Sequence, residues 1–174
     1  VPNGPGFILQ GISMLRKRNA RMAEYGVLKG PLEVQEVALP ESGELRLVVL
    51  ADTHSKPHSA GLAQVAAEAP AVILHGGDIG DLTVLDTLAE IAPVIAVRGN
   101  IDAMGQQLPA TVIIKWTDGG IVRSTWLLTH IALRGPRLYG EVVEIAREHG
   151  VQLVVCGHSH VPFLGRDKGL AVFN

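Results

Sequence analysis

The residues able to do chemistry in this chain fall into five short blocks: Asp52-Thr53-His54, His75-Gly76-Gly77-Asp78, Arg98-Gly99-Asn100-Ile101-Asp102, Thr129-His130 and Cys156-Gly157-His158-Ser159-His160. They offer carboxylates, imidazoles and one amide, with no thiolate in an obvious ligand position. That set suits Mn²⁺, Fe²⁺, Zn²⁺ or Ni²⁺ better than a thiolate-rich structural zinc site does. Asp-x-His and His-x-His spacings let alternate side chains of an extended segment reach the same side. Glycines before Asp78, Asn100 and His158 permit sharp turns and close backbone approach. Asp52, His54, Asp78, Asn100, His130, His158 and His160 make seven donors, too many for one ion and suited to two that share a carboxylate. Any block alone is a weak signal, because a lone His-x-His or Gly-Asp is more often a turn with a structural histidine.

What gives the blocks weight is the segment before each of them. Apolar runs of strand length occupy residues 45–50, 71–74, 94–97, 125–128 and 151–155, and every block follows one of these runs. The runs are nearly continuous rather than alternating, as expected of strands covered on both faces. Residues 61–69, 82–91 and 141–149 have helical character, the last ending at Gly150 in the C′ position. Strands alternating with helices predict βαβ units and a largely parallel sheet, whose ligand sites lie outside the carboxyl ends of the strands. Residues 112–116 and 121–128 flank Thr117-Asp118-Gly119-Gly120 and predict a β-hairpin, hence antiparallel strands in a second, mixed sheet.

Bulk properties set the outer limits. The chain has 174 residues, 47% hydrophobic and 18% charged, with a formal charge of −2; its mean hydropathy is +0.27 and its pI near 6.4. A disordered chain would be poorer in apolar residues and richer in charge. No general basic field points to nucleic acid. The single cysteine, Cys156, rules out an intrachain disulfide and fits a reducing compartment. No apolar run reaches the length of about 18–20 residues that spans a bilayer. The mildly apolar residues 7–15 precede Arg16, Lys17 and Arg18, the reverse of a secretory signal. The expectation is a soluble, cytoplasmic protein, with homo-oligomerisation left open. Residues 1–43, punctuated by Pro2, Gly4, Pro5, Pro31, Pro40 and Gly43, are expected to form a partly ordered extension with one helix around 12–24. The domain itself is expected over 44–174.

Taken together, Asp52-x-His54, Gly77-Asp78, Gly99-Asn100-x-Asp102, His130 and Gly157-His158-x-His160 resemble the five-block signature of the calcineurin-like metallophosphoesterases, and the short chain is most similar to their small prokaryotic phosphodiesterases. The resemblance covers residues 45–174 in order and spacing. It implies an α/β sandwich of two mixed β-sheets flanked by helices. It also implies a first ion on Asp52, His54, Asp78 and His160 and a second on Asp78, Asn100, His130 and His158, with Asp78 bridging. The ions implied are two divalent cations, Mn²⁺ first, with Fe²⁺, Zn²⁺, Ni²⁺ and Mg²⁺ as alternatives. Such a pair lowers the pKa of a shared water and binds the oxygens of a small phosphoester substrate, so Asp78, Asn100 and His130 act in catalysis through the ions they hold. Asp102 would support the ligands from behind.

The chain departs from the pattern at three places. Many relatives carry a histidine after the asparagine, where it protonates the leaving group; here Ile101 stands there and cannot donate. Ile131-Ala132 replace the usual glycine-containing segment after His130. The closing strands of the family are expected beyond Asn174. Without a leaving-group acid, phosphodiesters with good leaving groups are the expected substrates.

Other candidates carry less. His58 could line the site, although a solvated loop histidine is the commoner case. Arg98 is balanced between a phosphate contact and an ordinary surface arginine. His75 reads as a strand-end residue with a backbone partner, His149 as a helix C-terminal residue facing the dipole, Cys156 as small core, and Trp116 and Trp126 as packing. The basic stretch 16–21 reads as a solvated face. Gly76-Gly77-x-x-Gly80 lacks dinucleotide-binding spacing, and a metal-dependent amidohydrolase barrel needs about 250 residues. The serious competitor is a non-catalytic interaction module on the same fold, as the retromer scaffold subunit is.

Overall fold

The computed structural model describes residues 21–23, 26–103 and 108–174. A short strand, β1 (Arg21–Ala23), and a 3-10 turn (Gly26–Leu28) lead into β2 (Gly30–Ala38). A βαβαβ unit follows: β3 (Leu47–Leu50), α1 (Ser59–Ala67), β4 (Val72–His75), α2 (Thr83–Ala89) and β5 (Val94–Ala96). The hairpin of β6 (Thr111–Asp118) and β7 (Ile121–Thr129) comes next, then the small ribbon of β8 (Leu133–Arg134) and β9 (Arg137–Leu138). The chain continues through α3 (Gly140–Glu148), β10 (Leu153–Val155), β11 (Leu164–Asp167) and β12 (Leu170–Phe173).

β3, β4 and β5 form a three-stranded parallel sheet, each parallel pair joined by a helical crossover, α1 or α2. The seven-stranded sheet, in the order β1-β2-β6-β7-β10-β12-β11, is mixed: β2·β6, β7·β10 and β10·β12 are parallel and the remaining pairs antiparallel. Strand periodicity sorts the side chains into layers. Val72 and Leu74 of β4 meet Val112, Ile114 and Trp116 of β6 in the cluster between the sheets, whereas Ile73 faces α1 and α2 beside Val65, Val84 and Leu88. On the far side of the large sheet, Ile113, Leu127, Val154 and Val172 pack on Val142, Val143 and Ala146 of α3. The order of layers is therefore helix, sheet, sheet, helix, and it agrees with the expected sandwich. Trp116 is buried edge-to-face on Trp126, with ring centroids 5.1 Å apart, so both tryptophans are packing residues.

Two expectations about the early chain need correcting. Residues 30–38 are not part of a loose extension, because β2 pairs with β6 through seven register positions and buries Leu32 and Val37. The helix expected around 12–24 falls mostly outside the described residues, and its end, Arg21–Ala23, is a strand. The hairpin turn is also tighter than expected. Gly119 and Gly120 alone make it, both at positive φ (56° and 81°), as a two-residue connection demands. Among the described residues no helix is long and apolar enough to cross a membrane.

Candidate metal centre

The ligand-bearing loops are zipped together beyond the ends of the small sheet. Gly76 N–H donates to Leu50 O (2.7 Å), Asp52 N–H to Gly77 O (2.9 Å), His54 N–H to Asp78 O (3.1 Å) and Ser55 N–H to Ile79 O (2.7 Å). These bonds extend the β3·β4 pairing as two irregular loops running side by side. The backbone there is unusual: Asp52, His54, Ser55, Asp78, His158 and His160 all have positive φ, between 47° and 71°. A non-glycine residue in that region costs on the order of 1–2 kcal/mol, and such costs persist where surrounding structure enforces them at functional sites. Five of these six are among the expected metal ligands.

The side chains converge in two groups. Ligand atoms of Asp52, His54 and His160 lie within 4.8 Å of one another, and so do those of Asp78, His130 and His158. Asp78 is buried between the groups, with Oδ1 3.2 Å from His130 Nε2 and Oδ2 3.8 Å from His54 Nε2. Asn100 joins the second group, its Oδ1 3.1 Å from His130 Nε2. The seven expected donors are thus brought to one place. His54, His158 and His160 are exposed while Asp78 and His130 are buried, so the cluster opens to solvent on its histidine side.

Two details show that the donor set fits cations. His130 Nδ1 lies 2.8 Å from Gly76 O, which can only accept, so Nδ1 carries the ring proton. The Nε2 lone pair of the neutral ring then faces two oxygens, Asn100 Oδ1 and Asp78 Oδ1, an arrangement that repels unless positive charge enters. Asp52 Oδ1 is buried with no donor aligned on it, although His160 Nε2 lies 3.2 Å away. Buried oxygens left unsatisfied in this way are suited to metal coordination.

Asp102 holds the loops from behind. Its buried carboxylate accepts from Gly99 N–H (2.6 Å), Ile79 N–H (3.0 Å) and Gly80 N–H (2.8 Å), tying the Asp78 loop to the Asn100 loop. Asp102→Asn, with one accepting oxygen in place of two, is expected to lower activity by about 10–100-fold, the range for residues that orient metal ligands. Circular dichroism and Mn²⁺ titration check this: the fold stays, and the affinity falls.

Ile101 contributes its backbone. Its N–H donates to Asp78 Oδ1 (3.1 Å) while its side chain is 46% exposed. His75, fully buried, is bonded at both ring nitrogens: Gly77 N–H donates to Nδ1 (3.2 Å) and Nε2–H to Thr53 Oγ1 (3.0 Å). Burial lowers its pKa from 6.5 to about 4, against the pull of Asp102, Asp52 and Asp78. Above pH 6.5 folded and unfolded chains both carry the neutral ring. Between pH 6.5 and 4 only the unfolded chain gains the proton, so stability falls as the pH falls, by about 3 kcal/mol over the window. Urea titrations of EDTA-treated protein should show this slope, and His75→Gln should lack it.

The remaining candidates are placed elsewhere. The Arg98 guanidinium bonds the Lys29 carbonyl and lies against Gly30 at the start of β2. His58 is the N-cap of α1, its Nδ1 accepting the Ala60 N–H (3.2 Å). His149 caps the C-terminus of α3, with Gly150 at positive φ beyond it. Burial pushes the Cys156 thiol up to about 12, so it stays a neutral core group. Sequence reading missed Thr53 as a partner of His75 and the N–H groups of Ser55 and Ile101. None of these backbone groups has a side-chain signal that could reveal it.

Carboxylates, imidazoles and an amide are thus gathered at strand ends of a double-sheet sandwich. Residues 45–174 match the model of the calcineurin-like phosphoesterase superfamily domain, and the chain belongs to that superfamily. It is similar to a probable metallophosphoesterase of Methanocaldococcus jannaschii, 28% identical over 137 residues that cover 76% of this chain and 67% of the relative. Among solved structures it resembles vacuolar protein sorting 29 from Cryptosporidium parvum (TM-score 0.58, 16% identity, 75% of this chain and 74% of that one). It also resembles a structure described as a novel archaeal phosphodiesterase (TM-score 0.55, 19% identity, 75% and 82%). These structural likenesses concern the fold.

Proposed function

We propose that this chain hydrolyses phosphodiesters with two divalent cations, Mn²⁺ first among them, held by Asp52, His54, Asp78 and His160 on one side and by Asp78, Asn100, His130 and His158 on the other. The observation that carries this reading is the position of Asp78, whose two oxygens point to different donor groups. Bound there, the cations would lower the pKa of water toward neutrality and neutralise phosphate oxygens. The protein's part is preorganisation. Gly76 O fixes the His130 tautomer, Ile101 N–H fixes one oxygen of Asp78, and Asp102 locks the two loops so that no donor must move when a phosphate arrives. The exposed Ile101 side chain offers no proton to a departing alcohol, so rates should fall steeply as the leaving group becomes more basic. Equal rates on aryl and alkyl leaving groups would count against this. The composition and the single cysteine favour a cytoplasmic location.

A non-catalytic interaction module is the second reading. Val161, Leu164 and Phe173 are 65%, 82% and 41% exposed, Val161 in the loop just after His160 and Leu164 on edge strand β11 paired with Phe173 of β12. Turnover of bis(p-nitrophenyl) phosphate with and without Mn²⁺ separates the two: the catalytic reading requires Mn²⁺-dependent release of p-nitrophenolate, the module reading none.

A further inference from the structure

A cavity of about 250 Å³ opens between the 50–58 segment and the inner face of α1. Asp52 forms part of its wall, so it adjoins the Asp52, His54 and His160 donor group. Leu62 and Val65 of α1 supply apolar lining, and Lys56 and His58 supply polar lining. Because His58 Nδ1 accepts the Ala60 N–H, the neutral ring carries its proton on Nε2 and remains a donor. None of the ion pairs among the described residues uses Lys56.

Gly61 gives an independent indication. It lies in the first turn of α1, where glycine is a poorer helix former than alanine, yet a Cβ here would meet nothing within 4 Å and φ is not positive. Neither packing nor backbone geometry demands a glycine. Its consequence is a bare wall on the cavity. The volume lies just below the roughly 300 Å³ at which sites for whole small molecules begin. It suits one ring with a substituent, with the rest of the ligand outside.

The geometry points to a recognition subsite for one ester group of the phosphodiester: an apolar ring with an anionic edge, the ring against Leu62 and Val65 and the edge toward Lys56 and His58. This rests on the proposed phosphodiesterase activity, with the phosphate at the donors beyond Asp52. A charged lysine and an imidazole N–H favour an anion at the edge over a neutral group. The start of α1 adds its positive dipole end to the same region.

Two esters sharing one leaving group test the subsite: methyl p-nitrophenyl phosphate and 4-carboxyphenyl p-nitrophenyl phosphate. The wild type should prefer the carboxyaryl ester by about 10-fold or more in kcat/KM, a discrimination typical of one filled apolar contact with a polar partner. Gly61→Leu, which sets a large side chain on the cavity wall where a Cβ has open space, should bring the ratio close to one by raising KM for the carboxyaryl ester. Lys56→Gln should lower the ratio several-fold. A Gly61→Leu variant with a wild-type melting temperature and an unchanged ratio would overturn the subsite. If no variant hydrolyses either ester with Mn²⁺, the catalytic reading fails instead. The cavity is then read by ligand-observed NMR of 4-hydroxybenzoate with EDTA-treated protein: binding lost in Gly61→Leu upholds it, and equal or absent binding in both proteins overturns it.

Discussion

Asp78→Asn is expected to lower kcat/KM for bis(p-nitrophenyl) phosphate by about 10³-fold, equivalent to roughly 4 kcal/mol of transition-state stabilisation, with little change in fold. The substitution is nearly isosteric at a buried position that already receives the Ile101 N–H, so Asn can keep that bond. It cannot keep the charge, nor present two equivalent acceptors to the two donor groups. On the proposed two-ion reading every other donor serves one ion, whereas Asp78 faces both donor groups, so its loss should weaken both ions. Removing one of the exposed histidines, His54 for instance, should weaken mainly one. Mn²⁺ titrations of the two variants make the comparison. Equal losses in both would show that Asp78 has no special place.

Gly99→Ala should be as damaging by a different route. A Cβ on Gly99 would overlap Asp78 Oδ1 and the Asp78 backbone N and lie 2.8 Å from Asp78 Cα. Backbone atoms cannot rotate out of the way, and Asp78 is already held at φ 53°. One loop must move, breaking the Asp102 bonds that join them. The expected result is a destabilisation of about 3 kcal/mol, at the upper end for overpacking, together with loss of Mn²⁺ binding. Gly61→Ala is the control. The space there is open, so stability should be unchanged or higher by about 0.5–1 kcal/mol. Urea denaturation of the two variants measures both effects.

The fold class and the gathering of the seven donors were legible in the sequence, the early strands were not, and particular residues show why. The seven donors could be picked out because each follows an apolar strand, and strand ends of a parallel sheet share an edge. β2 could not. Pro31 and Pro40 look like loop punctuation, and Glu33, Gln35 and Glu36 dilute the apolar pattern. Its strand character comes from pairing with β6, far away in the chain. The bond from the Arg98 guanidinium to the Lys29 carbonyl at the start of β2 was hidden for the same reason. Asp102 was recognisable as an acid near Asn100, but its partners are backbone N–H groups, which no residue type announces. The positive φ values at Asp52, His54 and Asp78 were equally hidden, because glycine would be the usual sign of that conformation and these are not glycines.

The shared position of Asp78 is tested most directly by crystals grown with Mn²⁺ and measured at the manganese absorption edge. The anomalous map should show two peaks flanking Asp78, one among Asp52, His54 and His160, the other among Asn100, His130 and His158. A single peak, or peaks away from Asp78, would contradict the account.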